Sequence, residues 1–437
     1  MTTMESVTVD AAVAAAEMPR FDDGCVNMQE LARLLIEQVV NEVMDAMAAA
    51  AAEDAGTSRN GYRSRTLNTC VGMLELRIPK LRAGNFFPED VIERYSRTDR
   101  AMLAAVVEMY RSGVSTRKVS GVAEALGAGA LSKDQVSRIC ERLDREVEDM
   151  NGRLFGPNLR FPYLWLDATY VKCRREGHVA STAVVTAIAC DEDGNRYVVG
   201  FDIVDTESYG SWLCFLRGLR DRGVLGVLLV VSDAHGGLTR AIAEVFQGAA
   251  WQRCIVHLIR DCCAAAKSKS KRKRVARLLS PVFRAKDALV VRAAYHKAAE
   301  MVGTFCPAAA EILDGAEADA LAYLDFPPSH WKRLRTNNVQ ERTNREIKRR
   351  SRVVQVFPSP KSLVRLVGAI MADVDDAWQQ SRYFSQEKMD ELWALVEKRG
   401  KDGWETPSPT EVELTVASGF ADSILAAAEV EMEREAA

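Results

Sequence analysis

"YLWLDATYVK" (163–172) alternates apolar and polar side chains with the period of a strand and carries a carboxylate, Asp167, near its middle. Around it the same pattern recurs. "ASTAVVTAIACD" (180–191) follows, and the turn "DEDGN" leads into "RYVVGFDIV" (196–204), so three strands are expected as an antiparallel meander. A helix over "TESYGSWLCFLRGLRDRG" comes next, then a buried strand, "VLLVVSD" (227–233). The helix "GLTRAIAEVF" (237–246) and a short strand near "AWQRCIV" complete the series.

Three strands, helix, strand, helix, strand is the α/β order of a ribonuclease H-like, retroviral integrase-like core. In that fold the first strand's middle and the fourth strand's end open on one cleft, with a helix beside them. Asp167 and Asp233 occupy those two places. A carboxylate inside an apolar strand costs several kcal/mol unless it is paired or binds a cation. Alternation puts Asp167 on the face of Trp165 and Thr169. Asp233 ends "LLVV" and precedes "AHGG", where an acid can equally cap the next helix. The third acid is sought in "RTNNVQERTNREIKRR" (335–350). On a helix from residue 338, Glu341, Asn344, Arg345 and Lys348 share one face, opposite a packing stripe of Val339, Thr343 and Ile347. Glu346 lies nearer that stripe. Glu341 is therefore the expected third ligand, with Arg345, Lys348 and Arg349 placed to hold phosphate. Three such carboxylates suit two Mg²⁺ ions, or Mn²⁺, roughly 4 Å apart, activating an attacking water or 3′-hydroxyl.

The 437-residue chain, 48% hydrophobic, is long enough for several domains and too apolar for disorder throughout. No apolar run reaches membrane-spanning length, and "MTTMESVTVDAAVAAAEMPR" lacks the basic start of a secretory signal. Ten cysteines without a disulfide framework fit a reducing cytosol, so a cytoplasmic, nucleoid-associated protein is expected. The net charge of −3 conceals an asymmetry: residues 1–56 carry −9, residues 384–437 carry −8, and the body between them carries +14. A basic body points to a polyanionic partner.

Ahead of the strands, residues 27–52 read as a helix suited to self-association, 56–66 as a basic loop, and 71–82 as a strand ending at Pro79. Residues 101–150 read as three helices: one ending at Gly113, one capped by Ser115, and one opening with the capping box Ser132-x-x-Gln135. Tight turns between short helices fit a helix-turn-helix, with Arg117, Lys118, Lys133, Gln135 and Arg138 free to meet DNA. After His257 the chain turns helical, with a basic run "KSKSKRKR" (267–274), and a last helix of the body covers 359–378. The chain is thus divided as follows: an acidic helical arm (1–57), a basic loop and short strand (58–95), and a helix-turn-helix region (96–155). The ribonuclease H-like core (156–260 and 336–383) is interrupted by a helical insertion (261–335), and an acidic tail (384–437) ends the chain.

At these residues the chain resembles the bacterial mutator-type insertion-sequence transposases, of the DDE class, over roughly residues 58 to 380. The likeness rests on "RNGYRSRT" with "LRIPKLR…FFP", "GVSTRKV…LSKDQVSRI", "LDATYVK", "VSDAHGGL", "WQRCIVHLIRD" and "RTNNVQERTNREIKRR…VFP". It implies Asp167, Asp233 and Glu341 as the catalytic, metal-binding acids. It also implies a helical insertion between the last two, terminal inverted repeats and target DNA as partners, a homodimer on paired ends, and a circular intermediate. The family usually has Arg where Cys70 stands and Asn where Asp261 stands. Cys254 and His257 form a C-x-x-H shared with the family, read as structural or DNA-positioning near the active site. His235 either touches phosphate or bonds within its turn, and Trp331 either stacks on an unpaired base or belongs to the core. The alternatives to a transposase are a ribonuclease H-like nuclease, which hydrolyses without joining, and an inactive DNA-binding regulator derived from one.

Overall fold

A computed structural model describes residues 18–94, 96–126, 131–402 and 408–434 of the chain. The first 17 residues, most of the segment read against a secretory signal, lie outside them. The chain forms two compact units, one ending at Asp144 and the other beginning at Arg145.

In the first unit, helix α1 (Met28–Asp54) packs against a two-stranded antiparallel ribbon of β1 (Arg59–Thr69) and β2 (Gly72–Leu81). The basic loop expected at 56–66 is thus mostly strand. Its side chains are exposed from Arg59 to Ser64, so it lacks the apolar alternation by which strands are recognised. The partner strand supplies the apolar side, where Leu74, Leu76 and Ile78 pack with Met44 of α1. β2 also runs two residues beyond the expected stop at Pro79. The ladder shifts register between Arg59 and Tyr62, opposite Pro79 and Leu81, so a bulge sits where proline offers no N–H.

Helices α2 (Arg100–Arg111), α3 (Thr116–Ala125) and α4 (Lys133–Cys140) close around Met102, Val106, Val119, Ala123, Leu131, Val136 and Cys140. Ser115 caps α3, and Ser132 and Gln135 form the expected capping box. The single helix expected from residue 132 breaks at Glu141, after which α5 (Arg142–Gly152) begins.

The second unit is built on a mixed five-stranded sheet of order β5-β4-β3-β6-β7. β3 (Tyr163–Arg175), β4 (His178–Cys190) and β5 (Arg196–Val204) form the antiparallel meander. β6 (Leu229–Ser232) runs parallel to β3, and β7 (Ala250–Arg253) parallel to β6. Between them come α6 (Tyr209–Asp221) and α7 (Gly236–Val245). These two helices bury Trp212, Leu216, Leu238 and Ile242 against Leu164, Leu166, Val185 and Val230 of the sheet. On the other face Tyr163 and Trp165 meet Phe326, His330, Tyr383 and Phe384.

Beyond β7 the described residues contain no further strand. Helices α8 (Ile255–Ala265), α9 (Lys269–Val282), α10 (Ala288–Gly303) and α11 (Pro307–Ala320) are followed by the short α12 (Trp331–Leu334). The long α13 (Asn338–Val354) and α14 (Pro360–Trp378) return to the sheet. The acidic segment beyond residue 383 carries, among the described residues, α15 (Gln386–Asp402) and α16 (Glu411–Arg434). α16 packs on α9 and α10, burying Ala417, Ala421, Leu425 and Ala428. Lys297 of α10 bonds the Asp422 carboxylate at 2.5 Å, and Arg274 of α9 lies 3.6 Å from Glu429.

His330 ties these layers together. Its Nδ1 shares a 2.7 Å hydrogen bond with the Tyr163 hydroxyl, and its Nε2 one of 2.9 Å with the Lys388 carbonyl. Burial pushes its pKa down to about 4. In the unfolded chain histidine titrates near 6.5, so below that pH the unfolded state takes up a proton that the folded state refuses. The contribution is therefore complete above pH 6.5 and is lost as pH falls toward 4. We expect His330→Gln to remove about 1 kcal/mol of the stability difference between pH 7.5 and pH 5.5, measured by urea unfolding at each pH.

Candidate active site

The parallel ladder between β3 and β6 ends where Trp165 pairs with Val231. Asp167 lies two residues further along β3, which continues to Arg175, and Asp233 directly follows Ser232, the last residue of β6. Neighbouring strands are about 4.8 Å apart, so the two acids lie near one another where β6 leaves the sheet. Asp167 carries the signature of that placement. Burial and the nearby charge of Asp233 push its pKa up to about 7, against bonds from the Ala168 N–H and Asn344 that favour the charged form.

α13 is fixed on this opening by three amides. Asn337, just before the helix, donates from Nδ2 to the Leu166 carbonyl at 2.8 Å. Gln340 donates from Nε2 to the carbonyls of Trp165 at 2.5 Å and Thr186 at 3.2 Å, and its Oε1 accepts from the Thr186 hydroxyl. One turn on, Asn344 donates from Nδ2 to Asp167 Oδ2 at 2.6 Å. Asn337 and Gln340 are buried. Neither was singled out in the sequence; the available signal was a polar pair, at i and i+3, on the otherwise apolar side of an amphipathic helix.

Glu341 follows Gln340 and is exposed. It makes no ion pair among the described residues, whereas Glu346 pairs with Arg349 at 2.9 Å and Arg350 at 3.5 Å. The two carboxylates in the basic run thus divide as their helical positions suggest. Among the described residues no three His, Cys, Asp or Glu side chains group closely enough to hold a metal ion. His257, near the start of α8, links Asp233 and Glu341: burial lowers its pKa while their charges oppose the shift. Its Nδ1 is buried without a hydrogen-bond partner among the described residues. Cys254 is buried and accepts from the Asn337 N–H at 3.4 Å, joining the start of α8 to that of α13.

Two supporting candidates turn out to be structural. His235 caps α7, accepting from the Leu238 N–H at 3.3 Å, which is the turn-bonding alternative. Trp331 is buried, donates to the Phe326 carbonyl at 2.7 Å and stacks edge-on against Tyr323, so it belongs to the core and is not free to meet a base. Glu207, ahead of α6, lies near Tyr170, and its charge adds a small upward push on the Asp167 pKa. Asp261, where the family usually has Asn, is paired with Arg253 at 2.8 Å.

The cations are distributed unevenly. Arg345 and Lys348 are exposed beside Glu341, whereas Arg349 is engaged by Glu346. Arg117, Lys118 and Arg138 are exposed on α3 and α4. Gln135 is exposed but commits its Oε1 to the Ser132 N–H, and the Lys133 side chain lies outside the described residues. In the basic run 267–274, Lys271 donates to the Phe305 carbonyl, Arg272 to that of Ala266, and Arg274 lies over the Phe305 ring. These three are tied to neighbouring groups, yet all eight residues of the run are exposed.

One acid within β3 and another just past the end of β6, beside an arginine-rich helix, suit an α/β enzyme of nucleic acids, and comparison with known proteins says which. The chain belongs to the Mutator family of transposases, whose family description, Transposase, Mutator family, matches residues 1–381. It is 38% identical over 334 residues to the transposase for insertion sequence element IS1081 of Mycobacterium tuberculosis, covering 76% of this chain and 80% of that one. It is 38% identical over 347 residues to the transposase for IS256 in transposon Tn4001 of Staphylococcus aureus, covering 79% and 88%. With the transposase for ISRM5 of Rhizobium meliloti it shares 37% over 399 residues, 90% and 98% of the two chains. It is an insertion-sequence transposase, an enzyme of DNA transposition that binds transposon DNA. No helix among the described residues is long and apolar enough to cross a membrane.

Replacing Gln340 by leucine would keep its volume but take its amide from the Trp165 and Thr186 carbonyls and leave the Thr186 hydroxyl with only the Asp167 carbonyl at 3.4 Å. Each such group costs about 1–3 kcal/mol. We expect Gln340→Leu to lower unfolding free energy by about 2–4 kcal/mol in chemical denaturation.

Proposed function

We propose that the second unit is a ribonuclease H-like core with a helical insertion, and that Asp167, Asp233 and Glu341 carry DNA cleavage and strand transfer at the ends of an insertion sequence. The observation that carries this reading is the placement of Asp167 within β3 and of Asp233 just past the end of its parallel neighbour β6, near enough for the charge of Asp233 to act on Asp167. The order β5-β4-β3-β6-β7, antiparallel then parallel, supports the core assignment.

The donor set fits a hard divalent cation. Asp167 is a carboxylate whose pKa is raised to about 7 by burial and by a second acid, the condition that a cation between them relieves. Asp167 and Asp233 would hold Mg²⁺, or Mn²⁺, with Glu341 as the third acid on α13; two ions is the proposed number. When bound, such ions supply the positive charge that lowers the pKa of the attacking oxygen and stabilises the departing one. The chain's own residues do the rest. Asn344 holds the Asp167 carboxylate in place, Arg345 and Lys348 bind phosphate beside it, and Cys254 and His257 position the start of α8 against α13. Arg117, Lys118, Lys133, Gln135 and Arg138 are assigned to the terminal inverted repeats, on α3 and α4. A homodimer would bring paired ends together, in the cytoplasm at the nucleoid.

The competing reading, a ribonuclease H-like nuclease, predicts hydrolysis alone. A strand-transfer assay with pre-cleaved ends and Mg²⁺ should give joined product; hydrolysis without joining would favour the nuclease. Asp167→Asn should reduce cleavage by at least about 10³-fold while leaving end binding, read by gel shift, unchanged. Normal cleavage by that variant would remove Asp167 from the reaction.

A further inference from the structure

The first unit holds a groove of about 1710 Å³ between α1, the β1–β2 ribbon and the segment that follows it. Six cations line it, Arg63, Arg65, Arg77, Lys80, Arg94 and Arg97, against two acids, Glu37 and Glu75. Glu37 is already paired with Arg33 at 2.9 Å and accepts the Glu75 N–H at 2.8 Å. Two of the cations are also spent. Arg94 pairs with Glu89 at 2.9 Å, and Arg65 donates to the carbonyls of Glu93, Arg94 and Ser96. The other four, Arg63, Arg77, Lys80 and Arg97, have no ion pair among the described residues. Arg77 lies over the Tyr62 ring, 5.6 Å from its centroid, so its guanidinium is shelved on the ribbon.

Six cations gathered against two acids raise the energy of the folded chain unless an anion joins them. The crowding is felt at Arg65, whose pKa is lowered by burial and then by the charges of Arg63 and Arg97. Four of the groove's cations, Arg63, Arg65, Arg77 and Lys80, sit on a two-stranded ribbon, a shape that duplex DNA accepts, and Arg97 faces them from the segment that follows. We propose that this groove seats the sugar–phosphate backbone of duplex DNA, with Arg63, Arg77, Lys80 and Arg97 as its contacts. The site is separate from the helix-turn-helix cations and rests on the reading of the chain as a DNA-binding transposase. Phosphate contacts of this kind add affinity on any sequence, and leave the choice of sequence to other residues.

The test uses the full-length chain, a duplex bearing the element's end, and a scrambled duplex of equal length. Affinities are read by fluorescence anisotropy from about 50 to 200 mM salt. The triple variant Arg63→Gln, Arg77→Gln, Lys80→Gln should bind both duplexes at least about tenfold more weakly, with the salt slope reduced by about 2–3. Arg63→Lys with Arg77→Lys should keep the parent slope, which separates lost charge from lost folding. Unchanged affinity and slope in the glutamine variant would overturn the ribbon assignment, and so would equal loss in the lysine variant. Arg138→Ala serves as the independent arm, weakening the end duplex more than the scrambled one. If the parent chain binds neither duplex, the DNA-binding reading itself fails.

Discussion

The site depends on the amide ladder that fastens α13 to β3. A helix carrying so many arginines has little apolar surface with which to hold a sheet; Val339, Thr343 and Ile347 make only a narrow seam. Asn337, Gln340 and Asn344 add directional bonds, to Leu166, Trp165 and Asp167 of β3 respectively. Each buried N–H donor that lost its acceptor would cost free energy, so the three bonds together specify one axial position for the helix, even though the Asn337 and Asn344 oxygens have no partner among the described residues. A slip by a turn would break all three. That fixed position is what brings an acid and two exposed cations from α13 to the edge of the cleft.

Much of this was legible in the sequence because the signals were strong. The three meander strands alternate cleanly or are buried on both faces, and β6 is a short apolar run ending in an acid. Asp167 and Asp233 could be paired by topology alone. Glu341 could be distinguished from Glu346 because helical spacing places them on different faces, and the arginines that follow Glu346 then claim it.

What was not legible shares a physical cause. The strand at Arg59–Thr69 gains its stability from β2 and α1, so its own residues show no pattern. His235 and Trp331 have side chains that serve both chemistry and structure, and only the Leu238 N–H and the Phe326 carbonyl decide between those uses. Glu207 sits near Asp167 through the fold, far from it in sequence. The acidic carboxyl-terminal segment reads by composition as a solvated tail. Yet its small residues Ala417, Ala421 and Ala428 let a helix approach α9 and α10 closely.

That last helix has a consequence for the chain's architecture. The family description matches residues 1–381, ahead of α15 and α16, whereas the likeness to the ISRM5 transposase takes in 90% of the chain and so reaches into α15. α16 is mortised into the helices before it, with Leu425 buried and Lys297 of α10 latched to Asp422. A protein shortened at residue 381 would therefore be left with a bare oily flank on α9 and α10. The last helix is a wall of the house.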